Sequence, residues 1–298
     1  NKILCSLLTR GCEGFNNFTL SEYIESYGAE LNQEIFEDGI SISIKSLNEH
    51  FNKLCPLLEL IINKPILSET EFKKVKKSSI DHIKKDKENP FNICFEKWRK
   101  IVYSNHPYAF NTIGNANDVS KITYEDVLLE FKNLKNREKY LISNNPEING
   151  ENFGTVEKKI LKEKLDPLNH NLNTTNRFDY INNDSNQTII MMGDQTCSRR
   201  SSEYFPLKVL ESYLSYGMSA ALFKLFREKH GITYDLGVYY PIRSGNAPFL
   251  IYLSVSNKQA LFAFELLSKL WKNLLFNPLT DDETVSYTHL RAHETSEY

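Results

Sequence analysis

The sequence predicts an α+β protein built as two homologous layers, each a mostly antiparallel sheet with helices packed on one face. Three observations predict it. Short segments with apolar residues at every second position interleave with longer segments whose apolar residues recur three and four apart, in both halves of the chain. Cap and turn residues punctuate the boundaries between them. The 298 residues, 41% hydrophobic and 12% aromatic, suffice for a packed core. The layers are expected at 1–135 and 136–284, with 285–298 a separate tail.

In chain order, Thr19-Leu20-Ser21-Glu22 has the form of a capping box and opens a short helix that Gly28 ends. AELNQEIF and GISISIKS are predicted strands. Ile40, Ile42 and Ile44 alternate with Ser, and Glu37-Asp38-Gly39 supplies the turn. Asn48 is expected to cap a helix carrying Phe51, Leu54, Leu58, Ile61 and Ile62, which Pro65 ends. Ser68 to Glu71 forms a second capping box before a basic helix, whose lysines read as a solvated face. Pro90 separates this helix from the next, FNICFEKWRKIVYS. After His106-Pro107-Tyr108, Thr123 caps another helix.

KYLISNN is expected to be a short strand opening the second layer, and residues 150–187 a polar connection with a helix at its start. QTIIMMGDQ reads as a buried strand. The helix from Glu203 to Tyr216 is expected to bury Phe205, Val209, Leu210 and Leu214. The helix from Gly217 is expected to bury Met218, Ala221, Leu222, Leu225 and Phe226, with Gly231 beyond its end. PFLIYLSVS is a strand. Asn257 caps a final helix bearing Leu261, Phe264, Leu267, Trp271 and Leu274.

Composition narrows the function classes. A net charge of -2 and a pI of about 6.4 give no broad electrostatic footprint for nucleic acid. No apolar run approaches the roughly 20 residues of a membrane span. The five cysteines are scattered, odd in number and form no CxxC pair, which argues against a disulfide framework and a cysteine-rich zinc site. They point to an intracellular reducing compartment, the cytosol or an organelle matrix. The chain begins at Asn1 and runs directly into apparent helix. It is therefore expected to be a fragment whose N-terminal segment, with any targeting signal, lies upstream.

One stretch needs more than a core helix. Gly217-Met218-Ser219, Leu222-Phe223, Leu225, Arg227-Glu228-Lys229, Gly231 and Tyr234 together resemble the C-terminal signature of the pitrilysin family. These are the insulin-degrading-enzyme-like zinc metallopeptidases, or inverzincins. Thr19 to Asn32 is similar to the family's helix, Gly and "LN" segment. His106-Pro107-Tyr108, Gly114 and Ile122-Thr123 are similar to its "HPY…G…IT" stretch. The resemblance runs from Lys2 to Glu283. It implies peptide-bond hydrolysis by a helix-borne HxxEH, in which two His hold zinc, the Glu is general base and a distant Glu is third ligand.

No HxxEH occurs in this sequence. With Arg10-Gly11 aligned to the family's basic-Gly pair, Lys2 and Ser6 stand in place of the two His and Cys5 in place of the Glu. Val75 and His82 stand where the family's distal acidic residues fall. The metal motif of the first unit is degenerate, no catalytic residue and no metal ligand is assigned to this chain, and the chain alone is predicted inactive. The resemblance then implies the non-catalytic half of a two-half zinc endopeptidase. Such a half closes the peptide-binding chamber and lends a substrate-binding Arg and Tyr, seven residues apart, to a partner half that holds the zinc. Arg227 and Tyr234 match that spacing. Taken without the resemblance, Arg227 reads as the partner of a surface acid and Tyr234 as core. The implied partners are a catalytic half or subunit and peptide substrates, with no nucleic acid and no membrane span. The alternatives are a non-catalytic subunit of a heterodimeric processing peptidase and a non-proteolytic core-type scaffold protein. The tail VSYTHLRAHET has His289, His293 and Glu294 at metal-helix spacing, but the string resembles a translated sequencing-library adapter, so its metal reading is discarded.

Overall fold

A computed structural model describes residues 1–104, 106–145, 177–182 and 184–296. The chain forms two compact units, Asn1–Glu88 with Asn111–Lys164, and Asn89–Phe110 with Leu165–Tyr298. The α+β class with antiparallel sheets holds. Chain order put residues 89–110 in the first layer, whereas their contacts put them in the second unit.

The first unit opens with α1 (Lys2–Leu8) and α2 (Asn17–Ser26), followed by the hairpin β1 (Glu30–Phe36) and β2 (Gly39–Lys45). The hairpin pairs Phe36 with Gly39 across Glu37-Asp38, as the alternating isoleucines require. Then come α3 (Phe51–Asn63), α4 (Glu69–Asp86), α6 (Ala116–Lys121) and α7 (Tyr124–Lys135), while α5 (Pro90–Tyr103) belongs to the second unit. One cluster joins Ile3, Leu4, Leu7 and Leu8 to Phe72, Val75 and Ile83. Another joins Leu20 and Ile24 to Leu54, Leu57 and Ile61.

Some local expectations are corrected. Asn16, not Thr19, caps α2, its Oδ1 accepting from the N–H groups of Phe18 and Thr19 at 2.9 and 3.0 Å. Ser68 sits at the N-cap of α4, but its hydroxyl reaches Thr70 Oγ1 rather than backbone. Glu71, the other half of that expected box, instead pairs with Arg10 at 2.9 Å and Lys74 at 2.7 Å. Residues 139–145 form no strand, and Tyr140 and Ile142 are exposed. The connection expected from 150 to 187 lies largely outside the described residues. Thr123 and Asp126 do form the capping box of α7.

The second unit is built on a three-stranded antiparallel sheet in the order β3 (Gln187–Gln195), β5 (Pro248–Ser256), β4 (Thr233–Tyr239). The central strand is apolar on both faces, so both need cover. Phe249, Ile251, Leu253 and Val255 pack on α8 (Tyr204–Ser215), on a π-helix at Phe223–Lys229 and on α9 (Ala260–Phe276). Leu250 faces the other way, into a cluster with Trp98 and Tyr103 of α5, and Tyr108. Helices therefore cover both faces of this sheet, not the one face expected. Hydrogen bonds tie the α5 segment down: Tyr103 Oη donates to Asn246 O at 2.9 Å, and Gly245 N–H donates to Tyr108 Oη at 3.0 Å. Arg99 is buried and donates to the carbonyls of Tyr108 and Phe110, at 3.0 and 2.6 Å. The His-Pro-Tyr stretch is thus a structural staple within this unit.

The buried faces of two helices also differ from expectation. In α8, Phe205 is 73% exposed while Tyr204, Lys208 and Ser212 turn inward. Lys208 is satisfied there by Tyr240 O at 2.6 Å and Glu211 at 2.8 Å. Met218 is 75% exposed, so Leu222 and Phe226 anchor the next helix without it. In α9, Leu261 is exposed and Ala263 and Leu267 form the buried face. The last helix, α10 (Asp281–Ser296), packs Tyr287 edge-on against Tyr213, with its hydroxyl donating to Ser219 O at 3.2 Å.

Candidate functional site

Arg227 and Tyr234 both sit on irregular backbone. The helix after Gly217 widens to π winding over Phe223–Lys229. Such insertions add a residue to a turn and recur at functional sites. Leu222 and Phe226 are fully buried beneath it. Arg227 points to solvent, its guanidinium 5.3 Å from the Phe223 ring centroid, and makes no ion pair among the described residues. Gly231, at φ +60, takes the chain out of the helix, and Ile232 N–H closes it onto Phe226 O at 2.9 Å.

The strand that follows is bulged. Thr233 pairs with Val255 and Asp235 with Ser254, leaving Tyr234 as the extra residue. A bulge re-aims a side chain while the ladder continues around it. Here it leaves Tyr234 81% exposed, with Asp235 exposed beside it. Thr233 turns inward, its Oγ1 lying 2.8 Å from the carbonyl oxygens of both Asp235 and Ser254. That hydroxyl holds the bulge. Thr233→Val is expected to lower stability by about 1–3 kcal/mol, because it removes the one hydroxyl proton these two carbonyls share, the Ser254 carbonyl being buried. Urea denaturation measures it, and an unchanged midpoint would show that the bulge stands without the hydroxyl.

Tyr234 borders a cleft of about 410 Å³ on the α5 side of the sheet, with Asn89, Pro90, Phe91, Gln187, Ile189, Asp235, Tyr252 and Ser254. Arg227 is not part of that lining. The structure presents both sequence-identified residues to solvent, with Tyr234 at this cleft and Arg227 outside its lining. Tyr234 is exposed rather than core, and Arg227 pairs with no acid among the described residues. Phe91, Asp235 and Tyr252 were not singled out from sequence. No local signal joins residue 91 to strands about 100 residues and more further on.

The degenerate metal position is closed by packing. Val75 lies in the core with Ile3, Leu4, Leu7 and Leu8. Cys5 is buried with its thiol toward Glu34 O at 3.7 Å, and burial pushes that thiol above its ordinary pKa. Burial lowers the Lys2 ammonium below its usual range, against an opposing pull from Asp86. His82 is exposed. A buried neutral thiol, an ammonium and a hydroxyl do not fit zinc, and no three His, Cys, Asp or Glu side chains cluster as a metal site among the described residues.

Residues 146–287 match the family model described as the peptidase M16 inactive domain. That segment is similar to the peptidase M16 inactive domain. The match supports a non-catalytic M16 peptidase-like domain over those residues. Two curated relatives described as uncharacterized zinc proteases agree with it. The one from Rickettsia bellii is 23% identical over 265 residues, covering 83% of this chain and 61% of its own length. The one from Rickettsia felis is 24% identical over 260 residues, covering 85% and 63%. The chain thus spans about three fifths of the length of these relatives. Among solved structures, a peptidase M16 inactive domain from Pseudomonas fluorescens superposes with a TM-score of 0.76 at 17% identity, covering 97% of this chain and 72% of that one. A protease from Helicobacter pylori gives 0.76 at 16% identity, covering 99% and 74%. At that identity these structures establish the fold alone. No helix among the described residues is long and apolar enough to cross a membrane.

Proposed function

We propose that this chain is the non-catalytic half of an M16 zinc metalloendopeptidase. It closes the peptide-binding chamber over a catalytic half or subunit, and Arg227 and Tyr234 contact the peptide held there. The observation that carries this reading is the pairing of two backbone irregularities, a π-helix under Arg227 and a β-bulge at Tyr234, each turning its side chain out of a well-packed base. The Arg227 guanidinium offers a planar fork to a substrate carbonyl or carboxylate. The Tyr234 hydroxyl offers a donor where negative charge develops on the scissile carbonyl oxygen. Zinc, which supplies the activated water, belongs to the other half. Five free thiols, two of them buried, support a reducing compartment, the cytosol or an organelle matrix.

The test separates the chain from its partner. Purified alone and dialysed, it is expected to carry no stoichiometric zinc and to cleave no peptide. Adding the catalytic half is expected to give chelator-sensitive cleavage that exceeds what that half achieves by itself. Zinc retained by the isolated chain together with chelator-sensitive turnover would overturn the assignment. A catalytic half equally active without this chain would instead favour the scaffold reading.

A further inference from the structure

The cleft beside Tyr234 has a chemistry of its own. Its lining holds one charged side chain, Asp235, with the rings of Phe91, Tyr234 and Tyr252 and the uncharged polar groups of Asn89, Gln187 and Ser254. The ring geometry is fixed, with Phe91 meeting Tyr252 edge-on at 5.1 Å between centroids. Tyr252 can lie across β4 only because residue 237 is glycine. A Cβ there would come within 2.7 Å of the Tyr252 hydroxyl. Asp235 is exposed and makes no ion pair among the described residues. Its charge is nonetheless felt inside the cleft: burial first, then Asp235, raises the Tyr252 phenol above its ordinary pKa. The start of α5 does not compete for an anion, because the Phe91 N–H is already taken by Asn89 Oδ1 at 2.9 Å.

We infer that this cleft binds an arginine side chain of a peptide, with the guanidinium against Asp235 and its plane among the three aromatic rings. Arginine fits because its flat cation both stacks on rings and pairs with a carboxylate, which a neutral side chain of the same length cannot do. The volume of about 410 Å³ is that of a small ligand site and admits one long side chain with adjoining backbone. The bulge that turns Tyr234 out also turns Asp235 out, so one backbone irregularity presents both the hydroxyl and the charge. The inference rests on the proposed function only for taking a peptide as the ligand.

The test is fluorescence anisotropy of the full-length protein with two labelled, capped tripeptides, Gly-Arg-Gly and the same peptide with citrulline, the uncharged isostere of arginine. The arginine peptide is expected to bind at least about tenfold more tightly than the citrulline peptide. Asp235→Asn is expected to abolish that difference by weakening the arginine peptide alone. Asp235→Lys is expected to prefer Gly-Glu-Gly over Gly-Arg-Gly. On the unaltered protein, the arginine peptide is expected to shift the ring resonances of Phe91 and Tyr252 and to leave those of buried Phe226 in place. Equal binding of both peptides, no binding of the arginine peptide, or a preference that survives Asp235→Asn would each overturn the inference. Its failure is distinct from that of the proposed function. Lost turnover in Arg227→Ala without arginine selectivity rejects only the cleft. Selectivity with unaltered turnover in Arg227→Ala and Tyr234→Phe rejects only the catalytic contribution.

Discussion

Arg227→Ala in the proposed two-half enzyme is expected to lower kcat/KM for peptide cleavage by roughly one to two orders of magnitude, the worth of a charge-assisted hydrogen bond of about 1.5–3 kcal/mol. Thermal stability stays unchanged, since the side chain is exposed and its contact is the ring of Phe223 on its own helix. Tyr234→Phe keeps the ring and removes one hydroxyl. It is expected to lower turnover by about tenfold or more, in kcat more than in KM, because in the proposed role the donor acts where charge develops rather than on ground-state peptide. Arg227→Lys recovers little, as a point charge does not reproduce the two-pronged donor. Steady-state kinetics across a range of peptide concentrations decides the matter. If both variants cleave like the native enzyme, the π-winding and the bulge are packing solutions and the two residues have no part in turnover.

Gly193→Ala produces the largest loss of stability, at least about 3 kcal/mol. Gly193 lies in β3 opposite Leu250, and a Cβ there would come within 2.0 Å of Phe249 O and 2.8 Å of the Leu250 Cα. Both are backbone atoms of the central strand, so no rotamer change relieves the clash and the ladder itself must part. Gly217→Ala is the control. Gly217 has φ +73 and open space around an added Cβ, so it carries only the left-handed strain of about 1–2 kcal/mol. Urea denaturation ranks the two. A Gly193→Ala midpoint as high as that of Gly217→Ala would mean that β3 stands off from β5 more than the register implies.

Where signals are local, the sequence was a good guide. The isoleucine alternation of β2, the apolar runs of β3 and β5, and the Thr123–Asp126 capping box each depend on a few consecutive residues. Choosing between neighbouring polar residues was harder. Asn16 and Thr19 are both good caps, and the helix starts at the earlier one. Hydropathy misjudged α8, where an inward Lys208 is made tolerable by partners from Glu211 and the distant Tyr240. The single covered sheet face was also too simple, because the cover for Leu250 comes from about 150 residues upstream. Arg227 and Tyr234 were singled out only through a spacing set against a family pattern. The π-winding and the bulge that present them were not, because each shifts the register by one residue without changing composition. Asp235, Phe91 and Tyr252 meet only after α5 has crossed to the far face of the sheet.

That crossing has a consequence for how such a gene can change. The two units alternate along the chain, first, second, first, second, because Asn89–Phe110 is lent to the sheet of Leu165–Tyr298 and the chain then returns. A recombination breakpoint anywhere between 111 and 164 would hand the sheet to a new host without α5. The cover of Leu250, the aromatic layer of Phe95, Trp98 and Tyr108, would then have to be re-evolved from nothing. Shuffling that keeps the protein alive must move both units as one cassette, so the pair is expected to be inherited whole.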